Sequence, residues 1–447
     1  MIFFRATIPF KSIAKKHYSH PVFTLKLKAF LKLINVFVFL FIGMSSTVSA
    51  EANSHWSERI QTHGFASQAL IFTTDNNFFG DSEHGSADFT ELGLNASFKL
   101  SPNIRLAAQL ISRHAGEFYN GSPWLDYALI DINFMSTHQH QLGSYIGRVK
   151  NPVGLYNDTR DVAHTRQGVF APQVIYFDKV RNLIMSADGL HLYSNHFLST
   201  GNLLIQAGAG YALPDKNVEY AYMGQNWAGE LEGNNLSFFG RVMYEHDGGR
   251  WIFSLSGANL SIDFDHEAAD STPFPAGAGL NSGDIELDYA VLSTQYNGEK
   301  WQFTAEVALE HTNFDGIGTV FDKSGFDSIG YYAQLDYKFS HNWQAFIRYE
   351  EFQLNKDDWN GKKAAKESQQ TSQFLSGFGI QQPASPAHVN YAKTWVIGGH
   401  WDINKSLRLR SEYHISEGVA TLSPRENSIP LTAKYWDMFT ISLSYHF

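Results

Sequence analysis

Charged side chains occur at every second position in several extended segments of this chain. Arg348 and Glu350 show the spacing, and so do Arg408, Arg410 and Glu412. A period of two brings side chains to one face of a β-strand. A face that mixes both signs suits the binding of hydrated ions and polar solutes rather than bond-making chemistry. The residues that we predict to line such a water-filled interior are Arg105, Arg113, Arg241, Glu286, Asp288, Glu306, Glu310, Arg348, Arg408 and Arg410.

The segment 151–185 is the second place where chemistry could occur. Between residues 148 and 188 the chain holds six Arg and Lys against four Asp, and a run around Phe170 and Phe177 is apolar enough to pack against a wall. We expect this segment to fold into the interior and narrow it; the alternative is a surface loop that covers a neighbouring subunit. The candidate constriction residues are Arg148, Lys150, Arg160, Arg166, Lys179, Arg181, Asp158 and Asp161.

Catalytic and metal-binding patterns are not recognisable in the sequence. Serine and histidine are numerous, but no Ser/His/acid arrangement stands out, and His138 and His140 are predicted to be solvated in a short turn. The acidic stretch 263–270 lacks the spacing of a defined calcium loop. The sequence therefore predicts no catalytic residue, no metal site and no cofactor.

The elements that would position these side chains are strands. About sixteen extended segments are long enough for transmembrane strands, which need about 9–11 residues each. The predicted strands are 60–72, 89–100, 104–115, 125–135, 141–150, 186–196, 202–213, 236–246, 250–262, 285–296, 300–311, 328–339, 343–354, 391–402, 406–416 and 435–447.

The connections between these strands alternate between short and long. Seven are short, including turns at Asp247-Gly248 and Asn297-Gly298, dipeptides that suit tight hairpins. Eight are long: 73–88, 116–124, 151–185, 214–235, 263–284, 312–327, 355–390 and 417–434. The pattern predicts an all-β fold, a transmembrane antiparallel up-and-down β-barrel with short periplasmic turns and long outer loops.

Residues 1–50 have the pattern of a signal peptide. They contain seven Lys and Arg and no acid, then the apolar run Leu33 to Gly43, then Val48-Ser49-Ala50 as a small-residue cleavage site. The run is shorter than the roughly 20 residues that a membrane-spanning helix needs. The predicted division is therefore a signal peptide over 1–50 and a barrel over 51–447.

Composition excludes two classes of protein. Without the first 50 residues the chain keeps 27 Lys and Arg against 44 Asp and Glu, a net charge of −17. Such an acidic protein is a poor general partner for nucleic acid. Cysteine is absent, so an exported chain of this kind is not a small scaffold held by disulfides.

The last strand carries a family resemblance. Phe439, Ile441, Leu443, Tyr445 and Phe447 alternate with polar residues. The Tyr445 and Phe447 pattern resembles the closing strand of bacterial outer-membrane β-barrels, where such an end also serves as the signal for the barrel-assembly machinery.

The architecture as a whole resembles the general and phosphate-selective porins. The segment 147–154, GRVKNPVG, is similar to the phosphate-selective branch at one place, but that branch's lysine cluster has no counterpart here, so phosphate selectivity does not carry over. The resemblance implies passive diffusion of small hydrophilic solutes or ions, outer-membrane lipid and lipopolysaccharide as surroundings, and a homotrimer in a Gram-negative bacterium. The alternatives are a barrel enzyme that acts on lipid, and a receptor or adhesion barrel with a blocked lumen.

Overall fold

The computed structural model describes residues 59–271, 280–318, 325–377 and 383–447. The predicted signal peptide 1–50 lies outside them. The strands are β1 Ile60–Thr73, β2 Ser86–Ser101, β3 Ile104–Ala115, β4 Tyr119–Ser136, β5 His140–Lys150, β6 Ser186–Leu198, β7 Gly201–Ala212, β8 Glu230–Glu232, β9 Leu236–His246, β10 Trp251–Asp265, β11 Gly283–Asn297, β12 Trp301–Asp315, β13 Phe326–Lys338, β14 Trp343–Gln353, β15 Tyr391–Asp402, β16 Leu407–Gly418 and β17 Tyr435–His446.

Three α-helices lie in the described parts of the long connections. They are α1 Arg181–Met185, α2 Lys216–Met223 and α3 Lys362–Ser376. Within the four described ranges, no helix combines the length and the apolar character needed to cross a bilayer.

Sixteen of the strands close into one antiparallel barrel, as predicted. Each long strand pairs with its neighbours in the chain, and β1 pairs with β17 in a register that sets Leu70 opposite Ile441. The seam is completed by two backbone hydrogen bonds between Gly64 and Phe447, at 3.0 and 3.2 Å. The short β8 pairs with the end of β10, so β7 pairs directly with β9. Within the described ranges, closure therefore leaves none of these sixteen strands with an unpaired edge.

The two ends of the barrel differ in the length of their connections. One end, here the turn end, carries the connections 102–103, 137–139, 199–200, 247–250, 298–300, 339–342 and 403–406. The opposite end, the loop end, carries the connections 74–85, 116–118, 151–185, 213–235, 266–282, 316–325, 354–390 and 419–434. The predicted alternation of short and long connections is therefore confirmed at every hairpin but one.

The exception is the connection between β3 and β4, for which the predicted long loop 116–124 is wrong. The structure has a three-residue connection, and β4 begins at Tyr119, six residues earlier than predicted. Asn120 pairs with His114 across the hairpin. Gly121, at φ +88°, lies beside a register shift there. A glycine in a bulge keeps the strand going through a stretch whose polar composition is typical of a loop.

The outer face of the barrel is apolar. At the turn end, aromatic rings pair across neighbouring strands, with ring centroids 5.2 Å apart for Trp343 and Trp401 and 4.5 Å apart for Trp301 and Tyr337. Further along the strands the exposed side chains are mainly aliphatic: Leu92, Leu94, Leu106, Leu110, Ile130, Ile146, Leu190, Leu192, Leu255, Leu292, Leu309 and Ile347. An apolar band edged by aromatic rings is the exterior that lipid requires of a transmembrane barrel.

The inner face changes character along the barrel axis. Near the middle it is polar and hydrogen-bonded. Towards the loop end of β10 and β11 it becomes apolar and buried, through Leu260, Ile262, Ile285 and Leu287. These side chains share one core with residues of the 151–185 segment, including Tyr176. The loop end of the lumen is therefore packed with inserted loop rather than left open to its full width.

Candidate pore constriction

The loop 151–185 lies inside the barrel and contacts the wall on opposite sides. The backbone N–H of Val169 donates to Glu412 at 2.8 Å, and the backbone N–H of Gln173 donates to Glu350 at 2.9 Å. Across the lumen, Arg241 donates to Asp158 at 2.7 Å. The polar partners of the loop include Glu91 on β2, Arg113 on β3, Arg241 on β9, Ser256 on β10, Tyr289 on β11, Glu306 on β12, Glu350 on β14 and Glu412 on β16.

The two ends of this loop are tied together where it leaves the wall. The side-chain amide of Asn157 donates to the carbonyls of Asn151 and Ile184, both at 2.9 Å. The backbone N–H of Asn151 donates to Met185 O at 3.0 Å. Asn151 and Asn157 are fully buried. Because its ends are joined, the loop projects into the lumen as one compact unit.

Glu306 fixes the loop to the wall of β12. Its carboxylate is 1% exposed. It accepts hydrogen bonds from the hydroxyls of Tyr176 at 2.7 Å, Tyr332 at 2.8 Å and Ser293 at 2.7 Å, and from the backbone N–H of Leu155 at 3.0 Å. Four donors satisfy a buried carboxylate that would otherwise be costly to bury. Glu306 therefore serves as an anchor and does not present a free charge to the lumen.

A group of arginines surrounds Asp178 on the opposite side of the loop. Arg113 donates to Asp178 Oδ1 at 2.7 Å. Burial would raise the pKa of the Asp178 carboxyl, but three nearby guanidinium groups hold it below its usual value. They belong to Arg113, Arg160 and Arg181, which are at most 5% exposed. Burial and the neighbouring Arg181 lower the pKa of Arg160 to about 10, so positive charge is concentrated here.

A narrow cavity of about 30 Å³ separates the tip of the loop from the wall of β13 and β14. Arg160, Arg166 and Arg348 line it, and its twelve lining residues include no Asp or Glu. Behind the lining, Arg166 is ion-paired with Glu91 and Arg348 with Glu350. Within the described ranges, Nη2 of Arg160 and Nε of Arg166 are buried without a hydrogen-bond partner. The neutral polar lining residues are Tyr156, Thr159, Thr165, Gln167 and Gln334.

A wider basin of about 620 Å³ lies nearer the turn end. It is lined by Lys300, Lys338 and Arg408, against Glu299 and Asp402. Gln167 lines both this basin and the narrow cavity, so the two spaces adjoin. Six Arg and Lys and two acids line the two spaces together. Three of these arginines are ion-paired: Arg166 with Glu91, Arg348 with Glu350 and Arg408 with Asp402.

Two predicted constriction residues, Arg148 and Lys150, lie at the end of β5, just before the loop, and differ in position. Arg148 forms a two-point ion pair with Asp188, at 2.7 and 2.8 Å. Asp188 is opposite the exposed Tyr211 and two residues from the exposed Leu190, so this pair is on the outer face and Arg148 is not in the pore. Lys150 instead joins wall and loop.

The remaining predicted residues of the loop are engaged in contacts. Lys150 contacts Asp126 at 2.5 Å and Asp161 at 3.1 Å. Lys179 donates to Ala420 O at 2.8 Å, and burial lowers its pKa to about 8. The carboxylate of Asp158 accepts a hydrogen bond from Arg241. These residues position the loop, and only Arg160 and Arg166 of the predicted loop set line the narrow cavity.

The predicted lumen positions of Glu286 and Asp288 are wrong. Both are exposed on the outer face of β11, on the same side as Leu292, which is 61% exposed. Their apolar neighbours, among them Tyr289, point inward, where the Tyr289 hydroxyl donates to Ile175 O at 2.8 Å. The inward side is dry here because the loop packs against it, and the carboxylates lie on the outside near the loop end.

The other predicted lumen residues face inward. They are Arg105, Arg113, Arg241, Glu306, Glu310, Arg348, Arg408 and Arg410. Of these, Arg410 donates to Ser444 at 2.7 Å and to the backbone carbonyl of Arg166 at 3.1 Å.

Three further loops also turn inward at the loop end, which the sequence analysis missed. Phe78 and Phe79 of the connection 74–85 pack with Phe170. In the connection 419–434, Glu426 accepts hydrogen bonds from the backbone N–H groups of Phe79, Gly80 and Glu117, at 2.8 to 3.0 Å. In the connection 213–235, helix α2 buries side chains in the core that it shares with the 151–185 loop. A pair of adjacent phenylalanines in a predicted loop was the available signal.

Comparison with known proteins identifies the fold. No protein-family model matches the sequence, and no curated protein matches it. Solved structures do match. OprB of Pseudomonas putida at high pH gives a TM-score of 0.54 at 12% identity, covering 88% of this chain and 95% of that one. The outer membrane channel DcaP of Acinetobacter baumannii gives 0.52 at 10% identity, covering 87% and 97%.

A third similar structure is OmpF of Salmonella typhi in complex with daunomycin. It gives a TM-score of 0.51 at 12% identity and covers 87% of this chain and 97% of that one. At these identities the likeness shows the fold. The chain has a porin-like β-barrel fold, as the sequence analysis predicted.

Proposed function

We propose that this protein is a porin-like channel of the outer membrane of a Gram-negative bacterium, which passes small hydrophilic solutes and prefers anions. One observation carries the proposal: a loop folded inside a closed barrel of sixteen strands leaves a narrow cavity lined by Arg160, Arg166 and Arg348 and by no carboxylate. The named similarity to the outer membrane channel DcaP supports it at the level of fold.

The anion preference follows from where the charges lie. Low-dielectric walls keep field lines inside a narrow aqueous path, so a few charges at the constriction outweigh many on outer loops. Salt screens exposed charges beyond about 8 Å at physiological ionic strength. The net charge of −17 expected for 51–447 is therefore a poor guide to the selectivity of the pore.

Two acids beside the cavity, Glu91 and Glu350, are ion-paired with Arg166 and Arg348 and offset part of their charge. The four acids that were predicted to line the lumen are not free to act in the path. Glu286 and Asp288 face outward. The carboxylate of Glu306 accepts four hydrogen bonds. The carboxylate of Glu310 accepts hydrogen bonds from the hydroxyls of Tyr222 and Thr312, both at 3.1 Å. Among the four acids that could have produced cation preference, two are outside the lumen and two are hydrogen-bonded within it.

We also propose that the protein forms a homotrimer and that residues 1–50 direct its export. The exposed tryptophans of the outer wall lie on strands β10 to β15: Trp251, Trp301, Trp343, Trp395 and Trp401. Between residues 86 and 212, all of which the structure describes, the exposed large side chains are mainly Leu and Ile and include no tryptophan. Tryptophan is enriched at lipid interfaces, so the wall that has no exposed tryptophan suits contact with further copies in a homotrimer, although Phe134, Phe197 and Tyr211 are exposed there. Residues 1–50 would act as the signal peptide.

A receptor barrel with a blocked lumen is the second candidate. It is favoured by the apolar core that the 151–185 loop and α2 form inside the loop end. Such a protein would have the same fold and would conduct no ions. Conductance therefore separates the two candidates.

The test is electrical. The purified protein is inserted into planar bilayers, and conductance and reversal potential are measured in a salt gradient for the parent, Arg160→Glu and Arg166→Glu. Both variants should shift selectivity towards cations. Arg148→Glu is the matched control, because it makes the same charge change on the outer face. Silence of the parent would favour the blocked receptor, and unchanged reversal potentials in both lumen variants would place the cavity outside the permeation path.

A further inference from the structure

Two histidines face each other across neighbouring strands at the turn end. His140 is the first residue of β5, and its cross-strand partner in β6 is His196. Their Nδ1 atoms are 2.9 Å apart, and the ring centroids are 5.0 Å apart at an interplanar angle of 73°. His140 is exposed and follows the turn 137–139 directly. The pair is thus accessible to water at the rim of the barrel.

The surroundings leave these nitrogens available. Nε2 of His196 is 3.0 Å from the hydroxyl of Ser194, two residues along the same face of β6. When Nε2 donates to that hydroxyl, Nδ1 carries the lone pair. Histidines that bind metals generally donate their other ring N–H to an oxygen in this way, which sets the tautomer and the ring orientation.

The separation of the two nitrogens also favours a particular geometry. Two nitrogens that are each about 2.0–2.1 Å from one ion are about 2.9 Å apart at a right angle and about 3.3 Å apart at the tetrahedral angle. The observed 2.9 Å is the ordinary length of an N–H···N hydrogen bond, and it also lets the two nitrogens occupy neighbouring corners of a square without a change in their separation. Tetragonal nitrogen and oxygen sites are typical of Cu²⁺ and Ni²⁺, and the order of divalent affinities places Cu²⁺ first.

We propose that His140 and His196 bind a Cu²⁺ ion through their Nδ1 atoms, with water completing the coordination. In the free protein the two nitrogens share a proton along the line that joins them. When a metal ion binds, that proton moves through water to the exposed Nε2 of His140, so both imidazoles stay neutral with a lone pair on Nδ1. Rotation of the exposed rings about Cβ–Cγ then turns both lone pairs towards one point. Ser194 is a positioning residue, since it acts on the ion only through His196.

This site is separate from the pore. It lies on the outer face of the barrel rim, on the same side of β6 as the exposed Leu192. The proposal of a metal site is therefore independent of the proposed anion selectivity. The ligand class is a divalent transition-metal ion that prefers imidazole nitrogen, with Cu²⁺ bound more tightly than Ni²⁺.

The test uses the full-length barrel in detergent and CuSO4 alone as the probe. Titration calorimetry counts bound Cu²⁺, and electron paramagnetic resonance reports nitrogen ligands in a tetragonal field. His140→Gln and His196→Gln should each lose one bound Cu²⁺ and its nitrogen signature. Ser194→Ala should keep the site with roughly tenfold weaker affinity, the lower end of the range seen when an outer partner is removed.

His341→Gln is the matched control, since His341 lies in another exposed turn at the same end of the barrel. It should leave that copper and its spectrum unchanged. Heat-modifiable mobility on gels verifies that each variant is folded. Equal stoichiometry and identical spectra in the parent, His140→Gln and His196→Gln would overturn the proposal. Tetrahedral rather than tetragonal binding of the parent's ion would overturn the geometric part of it.

Discussion

Asp178 is the residue on which the charge balance of the inserted loop depends. Its carboxylate accepts from Arg113 and from the side chain of Gln173 and lies close to two further arginines, Arg160 and Arg181. Removing one partner from a buried charge pair costs about 3–5 kcal/mol, because the other charge is left uncompensated. The structure thus places a strong local dependence on one side chain.

Asp178→Asn should loosen the loop. The loop itself supplies trypsin sites at Arg160, Arg166, Lys179 and Arg181, which are protected while the loop is docked. Cleavage between residues 160 and 181 should therefore be faster in the variant, as read from the fragments on a time course. Asp188→Asn, which removes the partner of Arg148 on the outer face, is the control and should cleave at the parental rate. Equal rates in all three proteins would contradict the role of Asp178.

The same residue predicts how the loop responds to acid. The pKa of Asp178 is depressed in the folded protein by the three arginines. Its stabilising contribution is present above the ordinary aspartate pKa of about 3.9 and is lost as pH falls through the lower folded value. Current fluctuations in single-channel records should therefore increase below about pH 4 in the parent. In Asp178→Asn they should be high already near neutrality, and a pH-independent parent record would count against the assignment.

At the scale of elements, the sequence pattern predicted the positions of the strands well. It predicted poorly which side chains face inward near the loop end. The ends of β9 and β15 were predicted to the residue, because the adjacent turns and loops define them even though 391–402 alternates poorly. β11 shows the limit. The rule that apolar side chains face lipid reverses where a loop packs inside, so Glu286 and Asp288 were placed on the wrong face. The sequence of β11 alone does not indicate that Tyr289 contacts Ile175 of the loop.

The constriction shows the same division between local and long-range information. The excess of Arg and Lys between 148 and 188 pointed correctly to the segment that enters the lumen. Which cations line the cavity depends on partners far away in the chain, such as Glu91 for Arg166 and Asp188 for Arg148. Local composition does not reveal those pairings. Arg148 was therefore wrongly predicted to lie at the constriction.

The seam between β1 and β17 should depend on Phe447. Deleting it removes both backbone hydrogen bonds to Gly64 and the ring that occupies the space beside that glycine, where a Cβ would come within 2.5 Å. The folded fraction, read as heat-modifiable mobility of the outer-membrane fraction, should fall sharply. Leu431→Ala removes an 83% exposed side chain at the loop end and serves as the control. Normal abundance of the deletion would show that closure does not need this contact.

Glu426 should hold the inward-turned loops together. Its carboxylate joins the connections 74–85, 116–118 and 419–434 through three backbone donors. Glu426→Ala leaves those N–H groups without acceptors, at a cost of about 1–3 kcal/mol for each one that water does not reach. Hydrogen exchange of Phe79, Gly80 and Glu117 amides should accelerate, while the strand amide of Leu443 serves as the internal reference. Unchanged exchange at all three amides would refute the role.

At the scale of the molecule, the two ends of the barrel should face different compartments. A cysteine at Ala269, in the connection 266–282, should react with an impermeant thiol reagent on intact cells. A cysteine at Ser340, in the turn 339–342, should react only after the outer membrane is breached. Both positions are exposed and the chain has no cysteine of its own, so the background is clean. Equal labelling of the two on intact cells would reverse or abolish the proposed topology.

The reach of the inserted loop has a consequence for the order of biogenesis. Val169 bonds to Glu412, 243 residues further along the chain, while Arg166 contacts Glu91 in β2. Loop closure over such separations is entropically slow, and contacts of this kind form late in folding. The loop cannot complete its contacts until the last strands are in place. A nascent barrel would therefore acquire its walls first and its selectivity last, so that a transient wide-bore intermediate precedes the mature channel.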